Sequence, residues 1–385
     1  MITNYPRIIS LLHDEVEDDK DLKETLTKCI REANWTPPYS SKPIETLNGF
    51  YLYLVKLLNS VPVDSTFDTL FHGLFYIVSQ SGNVLQASDK YKNLQVWLTL
   101  YSEFYGSMLN TAKSANNLYS ITNDPSYSID MFDVPPGGYQ NFNTFFSRHI
   151  RPGKRPIGTK THPYPEPNYK CPLGPNPEED FNQVHKNMCD DTVIAVPADS
   201  VYKGAWKIDN NSQITTSKGN QYSINELIRE SEYSDRFKGG VFTHAYLTVY
   251  TYHRYHTPVR GKVIHAKVIN GDVYANVIKD GSGKIGATDR TGYQFKQDRG
   301  LLIIDSPIGL VALMPIGMDF VSSCNINVDV GDYLNKGDEF GYFLFGGSDM
   351  IMLFENNIDI KLPKENMLYK LGQVFGTAAK NKASL

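Results

Sequence analysis

Apolar positions recur every three or four residues through the first third of the chain and give way to short alternating runs beyond it. Phe67, Leu70, Phe71, Leu74, Phe75 and Val78 keep the i, i+3, i+4, i+7 rhythm of a helix, with Asp64 or Ser65 placed to cap its start. Leu94, Trp97, Leu98, Tyr101, Tyr105, Met108 and Leu109 repeat the rhythm and predict a second helix. Such aromatic stripes face a core far more often than a cofactor. A helical domain over residues 1–138 is expected, closing at Pro135-Pro136-Gly137-Gly138.

Residues 139–385 read differently. A Pro-rich connection spans 151–180 and holds eight of the 21 prolines, a density that excludes helix and central strand. From Thr192 onward, short β-branched and aromatic runs are cut by turn residues: Thr192–Val196, Val241–Thr251, Gly261–Val268, Leu301–Ile304, Gly309–Leu313, Phe340–Phe345 and Met350–Phe354. Asp305-Ser306-Pro307-Ile308-Gly309 fits a hairpin turn, and Ser223 is placed to cap a helix to Ser231. The predicted class is α+β: a helical N-terminal domain, then a mostly β catalytic domain, either a sandwich or a partly closed barrel.

Composition narrows the classes. Of 385 residues, 38 are basic and 42 acidic, a net charge of -4, so no basic surplus points to nucleic acid or an anionic membrane. Four scattered cysteines without Cys-x-x-Cys spacing suit a reducing compartment and give neither a metal knuckle nor a disulfide framework. The N-terminus lacks a signal-peptide pattern, and the apolar runs are broken by Lys56 and Asp305 before they reach a membrane span. A soluble, cytoplasmic protein is expected, with a homo-oligomer left open.

The densest chemical signal is Gly346-Gly347-Ser348 between two apolar β-segments. Two glycines permit a strained peptide that the serine hydroxyl can attack, whereas an ordinary hairpin would use the same residues merely to turn. Tyr252-His253-Arg254-Tyr255-His256 brings two imidazoles within four residues, which suits proton transfer near neutral pH. No carboxylate or cysteine sits beside them at ligand spacing, so no metal is expected. Asp199 follows a strand and a proline. It is either a turn residue or the acid of an Asp/His/Ser relay. Met350 stands where a Gly-x-Ser-x-Gly elbow needs its last glycine. Gly281-Ser282-Gly283-Lys284 fails as a phosphate loop, with Ile278 and Ile285 at required positions.

Four motifs in this order resemble the phosphatidylserine decarboxylase family of pyruvoyl enzymes: Phe142 to Ile157 (FNTFFSRHIRPGKRPI), Pro197-Ala198-Asp199, Tyr252 to Gly261 (YHRYHTPVRG) and Lys336 to Ser348 (KGDEFGYFLFGGS). The resemblance implies a zymogen that makes its own cofactor, a pyruvoyl group, from Ser348. Attack of its hydroxyl on the Gly347 carbonyl and elimination would leave a β chain ending at Gly347 and an α chain starting at residue 348. It further implies His256 as the base for cleavage with Asp199 orienting it, and His253 as the proton donor in turnover. A ketone joined to a substrate amine accepts electrons as carbon dioxide departs, so the substrate must carry an amine α to a carboxylate.

Departures from the family pattern bear on the substrate. Val249, Tyr250 and Thr251 replace the usual Pro-x-Asp before Tyr252, Ser200 replaces glycine, and Asp349 replaces threonine. A carboxylate beside the nascent pyruvoyl is expected to disfavour an anionic phospholipid headgroup. Tyr246 to His256, Ile316-Gly317-Met318 and Ser323-Cys324 are similar to the soluble branch typified by the psilocybin-pathway tryptophan decarboxylase. The expected reaction converts a free amino acid, with an aromatic side chain favoured, to an amine. The alternatives are phosphatidylserine decarboxylation to phosphatidylethanolamine and a non-catalytic β-rich binding module with an uncut turn.

Overall fold

The computed structural model describes residues 5–63, 65–80, 85–86, 88–116, 118–151, 154–155, 190–216, 219–229, 231–248, 250–275, 277–287, 292–318 and 323–380. The Asp64 cap and nearly all of the Pro-rich connection lie outside these residues. Five long helices come first: α1 (Arg7–Asp18), α2 (Lys20–Ala33), α3 (Leu47–Leu58), α4 (Ser65–Val78) and α5 (Lys92–Leu109). Both predicted stripes lie on them, α4 and α5, with Leu74, Phe75, Leu98, Tyr101 and Tyr105 fully buried. Asp19 caps α2 through the Leu22 N–H, and Thr46 caps α3 through the Gly49 N–H. No described helix is long and apolar enough to cross a membrane.

Eleven strands build the region around the site: β1 (Ser200–Lys207), β2 (Val241–Leu247), β3 (Arg254–His256), β4 (Gly261–Ile269), β5 (Arg299–Ser306), β6 (Gly309–Met318), β7 (Cys324–Ile326), β8 (Tyr333–Leu334), β9 (Glu339–Phe343), β10 (Gly347–Phe354) and β11 (Met367–Tyr369). Eight form one antiparallel sheet in the order β8-β4-β5-β6-β10-β2-β1-β11, and β7-β9-β3 form a second. Among the described residues the large sheet stays open at β8 and β11 and does not close into a barrel. The expected hairpin closes at Ser306↔Gly309. Ser223 caps only a short helix, Ile224–Leu227.

Strand alternation gives the large sheet two cores. Met350, Met352 and Phe354 of β10 join the cluster that includes the helices, while Ile351 and Leu353 join a second cluster on the opposite face with Ile208, Leu227 and Phe237. The helices therefore cover the face that carries the even-numbered side of β10.

Within the helical layer, Trp35 is wedged between α3 and α4. Its ring meets Tyr53 edge-on at 5.2 Å, and the Tyr53 hydroxyl donates to the Leu70 carbonyl at 2.7 Å. Gly73 leaves room for that indole, since a Cβ there would lie 2.2 Å from the ring. Alanine would gain up to about 1 kcal/mol of helix propensity. The overpacking costs about 1–3 kcal/mol and wins. Gly73→Ala should lower unfolding free energy in a urea titration, and adding Trp35→Phe should recover part of the loss.

Candidate active site

Ser348 sits at the start of β10, opposite Gly317 of β6 and Leu247 of β2, and is fully buried. The hairpin reading of Gly346-Gly347-Ser348 is corrected here. β9 pairs with β3 and β7, whereas β10 pairs with β6 and β2, so the chain crosses between two sheets at this point. Gly346 makes the crossing at φ 155°, which L side chains rarely adopt. The approach is pinned by hydrogen bonds. Ser323 Oγ accepts from the Leu344 N–H at 3.1 Å, and Asn143 Oδ1 accepts from the Phe345 N–H at 3.2 Å.

His253 lies against the serine, with Nδ1 3.0 Å from Ser348 Oγ and Nε2 3.1 Å from the Thr248 carbonyl oxygen. A carbonyl only accepts, so Nε2 carries the proton and Nδ1 presents its lone pair to the hydroxyl. Ser348 is thereby the donor and His253 the acceptor, the polarity that deprotonation of the hydroxyl needs. Phe146 stacks on the imidazole at 3.9 Å between centroids, and Phe343 meets it edge-on at 6.5 Å. Both rings keep water from the pair.

His256 is held elsewhere. Its Nδ1 donates to the Gly337 carbonyl at 2.8 Å, and its Nε2 accepts from the Tyr252 hydroxyl at 3.1 Å. Burial drives its pKa down to about 3, so the ring is neutral. The same desolvation keeps the Tyr252 phenol protonated, with its pKa far above the usual value. Asp199 Oδ1 and Oδ2 accept from Arg155 at 2.6 and 2.9 Å, a buried bidentate pair, and Oδ1 also accepts from the Leu371 N–H at 2.8 Å. No hydrogen bond joins Asp199 to His256, or His256 to Ser348, among the described residues.

The roles drawn from resemblance put His256 on the serine with Asp199 behind it. The geometry puts His253 there. Thr248, Tyr252, Arg155 and Asn143 hold these groups and carry no role in the sequence reading. Each lies inside a quoted motif, and motif membership was the available signal.

Asp349 turns away from the site. Period-2 alternation sends it to the opposite face of the sheet, where Oδ2 accepts from His244 Nε2 at 2.8 Å, from Gln294 Nε2 at 3.1 Å and from the Tyr293 hydroxyl. The expected repulsion of an anionic headgroup by Asp349 is therefore corrected: the carboxylate is buried behind the strand, neutralised by donors. Among the described residues, no three His, Cys, Asp or Glu side chains gather to hold a metal.

A buried serine lies at a sheet-crossing Gly-Ser junction with an imidazole against its hydroxyl, so the nucleophile faces its own backbone rather than an open cleft. The model of the phosphatidylserine decarboxylase family matches residues 180–377, just over half of the chain, and the chain belongs to that family. The family is pyruvoyl-dependent and forms the group from an internal serine by self-cleavage. Phosphatidylserine decarboxylase proenzyme 3 of Schizosaccharomyces pombe is 30% identical over 60% of this chain and 20% of its own length. The L-tryptophan decarboxylase of Psilocybe cyanescens is 25% identical over 80% of this chain and 65% of its own. Decarboxylase iboD of Amanita muscaria is 25% identical over 62% of this chain and 65% of its own. The chain thus spans from a fifth to about two thirds of these relatives.

The neutral His256 generates a pH dependence. With its pKa near 3 in the folded chain and 6.5 as the reference for an exposed imidazole, the unfolded chain binds the extra proton first as pH falls. Its contribution is whole above about pH 6.5 and is lost progressively toward pH 3. Urea midpoints measured between pH 8 and 4 should fall on the acid side, and His256→Gln should flatten that fall. An equally steep profile in the variant would show that His256 is not the group responsible.

Proposed function

We propose that the chain cleaves itself between Gly347 and Ser348 and then decarboxylates a free α-amino acid with an aromatic side chain to its amine. The observation that carries the first part is the 3.0 Å contact of Ser348 Oγ with the unprotonated Nδ1 of His253. His253 takes the hydroxyl proton as Oγ attacks the Gly347 carbonyl carbon, and gives it to the departing backbone nitrogen, turning the peptide into an ester. Loss of the residue 348 Cα proton breaks the Cβ–O bond, and Gly347 leaves as a carboxylate. Water then replaces the nitrogen of the resulting dehydroalanine, releasing ammonia and leaving a ketone.

The dry setting of residue 348 beside His253, Phe146 and Phe343 fits such a group. When present, it supplies an electron sink for the departing carbon dioxide. His253 then holds the proton that returns to the substrate α-carbon. His256 and Asp199 act as positioning residues, the first tying Tyr252 to Gly337 and the second tying Arg155 to Leu371.

A free amino acid is supported by the Psilocybe relative, whose likeness extends over 80% of this chain. A second reading, phosphatidylserine as substrate, draws on the Schizosaccharomyces relative and on a groove of about 450 Å³ where Lys56 and Lys113 stand ready for a phosphate.

Denaturing mass spectrometry should show fragments 1–347 and 348–385, and Ser348→Ala should stay whole at 43.5 kDa. His253→Ala should slow cleavage by about a hundredfold or more, the scale of a lost general base. His256→Asn should be cut within about tenfold of the native rate, having lost only a positioning contact. Rapid cleavage of His253→Ala beside an inert His256→Asn would return the base role to His256.

Carbon dioxide release from the cleaved protein should be fastest with tryptophan or tyrosine, slower with alanine, and absent with phosphatidylserine vesicles. Release from the vesicles alone would establish the lipid reading.

A further inference from the structure

A cavity of about 260 Å³ lies between the helical layer and the site. Its inner wall is aromatic, formed by Tyr127, Phe142, Phe145, Phe146 and Phe345, and its outer part carries Asp68 and Asp124, both exposed. Among the described residues, no lysine, arginine or histidine lines it. Two of its walls belong to the site as well. Phe146 stacks on His253, and Phe345 stands two residues before Gly347, edge-on to Phe142 and to Phe146 at 5.4 Å in each case. Cleavage after Gly347 would leave a chain end two residues from Phe345, a residue of the cavity lining.

We infer that this cavity receives the side chain of the substrate and that it selects an uncharged aromatic ring that carries a hydrogen-bond donor, an indole or a phenol. The inference rests on the decarboxylase reading and adds the substrate subsite to it. Edge-to-face contacts suit a flat ring against the inner wall. At the mouth, the two carboxylates accept from an N–H or O–H and repel a phosphate. The volume is below the usual range for drug-sized ligands, roughly 300–1,000 Å³, and matches one ring system better than a larger group.

The test uses Ser348→Ala protein, which stays a single chain, so binding is measured without any dependence on cleavage. Calorimetric titration with 3-methylindole and with 4-methylphenol should show one saturable site. Phenyl phosphate should bind at least about tenfold more weakly than 4-methylphenol, and Asp68→Asn with Asp124→Asn should narrow that gap. Val63→Trp, which fills the cavity rim, should weaken the indole by about tenfold with an unchanged melting temperature. In the cleaved native-serine enzyme the same variant should raise KM for an aromatic amino acid with little change in kcat.

If folded Ser348→Ala protein binds neither fragment, or binds phenyl phosphate as well as 4-methylphenol, the subsite is refuted. The phosphate comparison needs no substitution at the rim, so it decides the matter even if Val63→Trp does not fold. Failure of the decarboxylase reading would appear instead as an uncut native chain in the mass spectrum.

Discussion

The carbonyl oxygen of Thr248 decides which nitrogen of His253 faces Ser348, and the chemistry of the site depends on that choice. This oxygen is fixed by a turn, accepting also from the Thr251 N–H at 3.1 Å and the Thr251 hydroxyl at 2.7 Å. The turn is clamped in its own right. Arg148 is buried, donates to the carbonyls of Tyr250 and Thr251 at 3.2 and 3.3 Å, and reaches back to Phe145 at 3.3 Å in the short helix that supplies Phe146. Desolvation lowers its pKa to about 10, and the rings of Phe132 and Phe145, 4.2 and 4.8 Å from the guanidinium, offset part of that cost. One cation, with no carboxylate in contact among the described residues, thus holds together the two elements that set the tautomer and the stacking of His253.

The helical stripes on α4 and α5 and the alternation of β10 were legible because each is a local periodicity. So was the departure of Asp349 from the site: once β10 is a strand, residues 348 and 349 must face opposite ways. The expectation that Asp349 repels an anionic headgroup did not apply that alternation. The sheet crossing at Gly346 was not legible, because β9 takes its partners from β3 and β7 rather than from the strand that follows it. Which of His253 and His256 lies against Ser348 was not legible for the same reason. Three residues apart, they meet different partners: His253 the Thr248 carbonyl and Ser348, His256 the far-off Gly337 carbonyl and Tyr252.

Two sides of one strand therefore carry different duties. On the even-numbered face, Ser348 meets a neutral imidazole under a lid of helices. On the odd-numbered face, Asp349 is surrounded by Tyr293, Gln294 and His244. Its network grips the second residue beyond Gly347, so under the proposed cleavage the new chain end would stay in register between β6 and β2. A strand end freed of its covalent neighbour would otherwise fray, since terminal residues lose pairing most readily.

That separation also moves the question of substrate charge away from the cleavage strand. A carboxylate one residue from the reacting carbon has little influence on the substrate when it faces another core and its charge is met by three donors. Discrimination must come from groups on the helical side. There the acidic mouth of the aromatic cavity and the lysine-bearing groove beside it are adjacent, sharing Val63 and Phe67. The cavity shares Phe146 and Phe345 with the site, whereas neither residue lines the groove. A group bound in the groove would act from a distance, while a ring in the cavity would press on the same side chains that hold His253. Under the proposed reading, the cavity would thus couple substrate choice to the serine and its base through Phe146 and Phe345, whereas the groove would not.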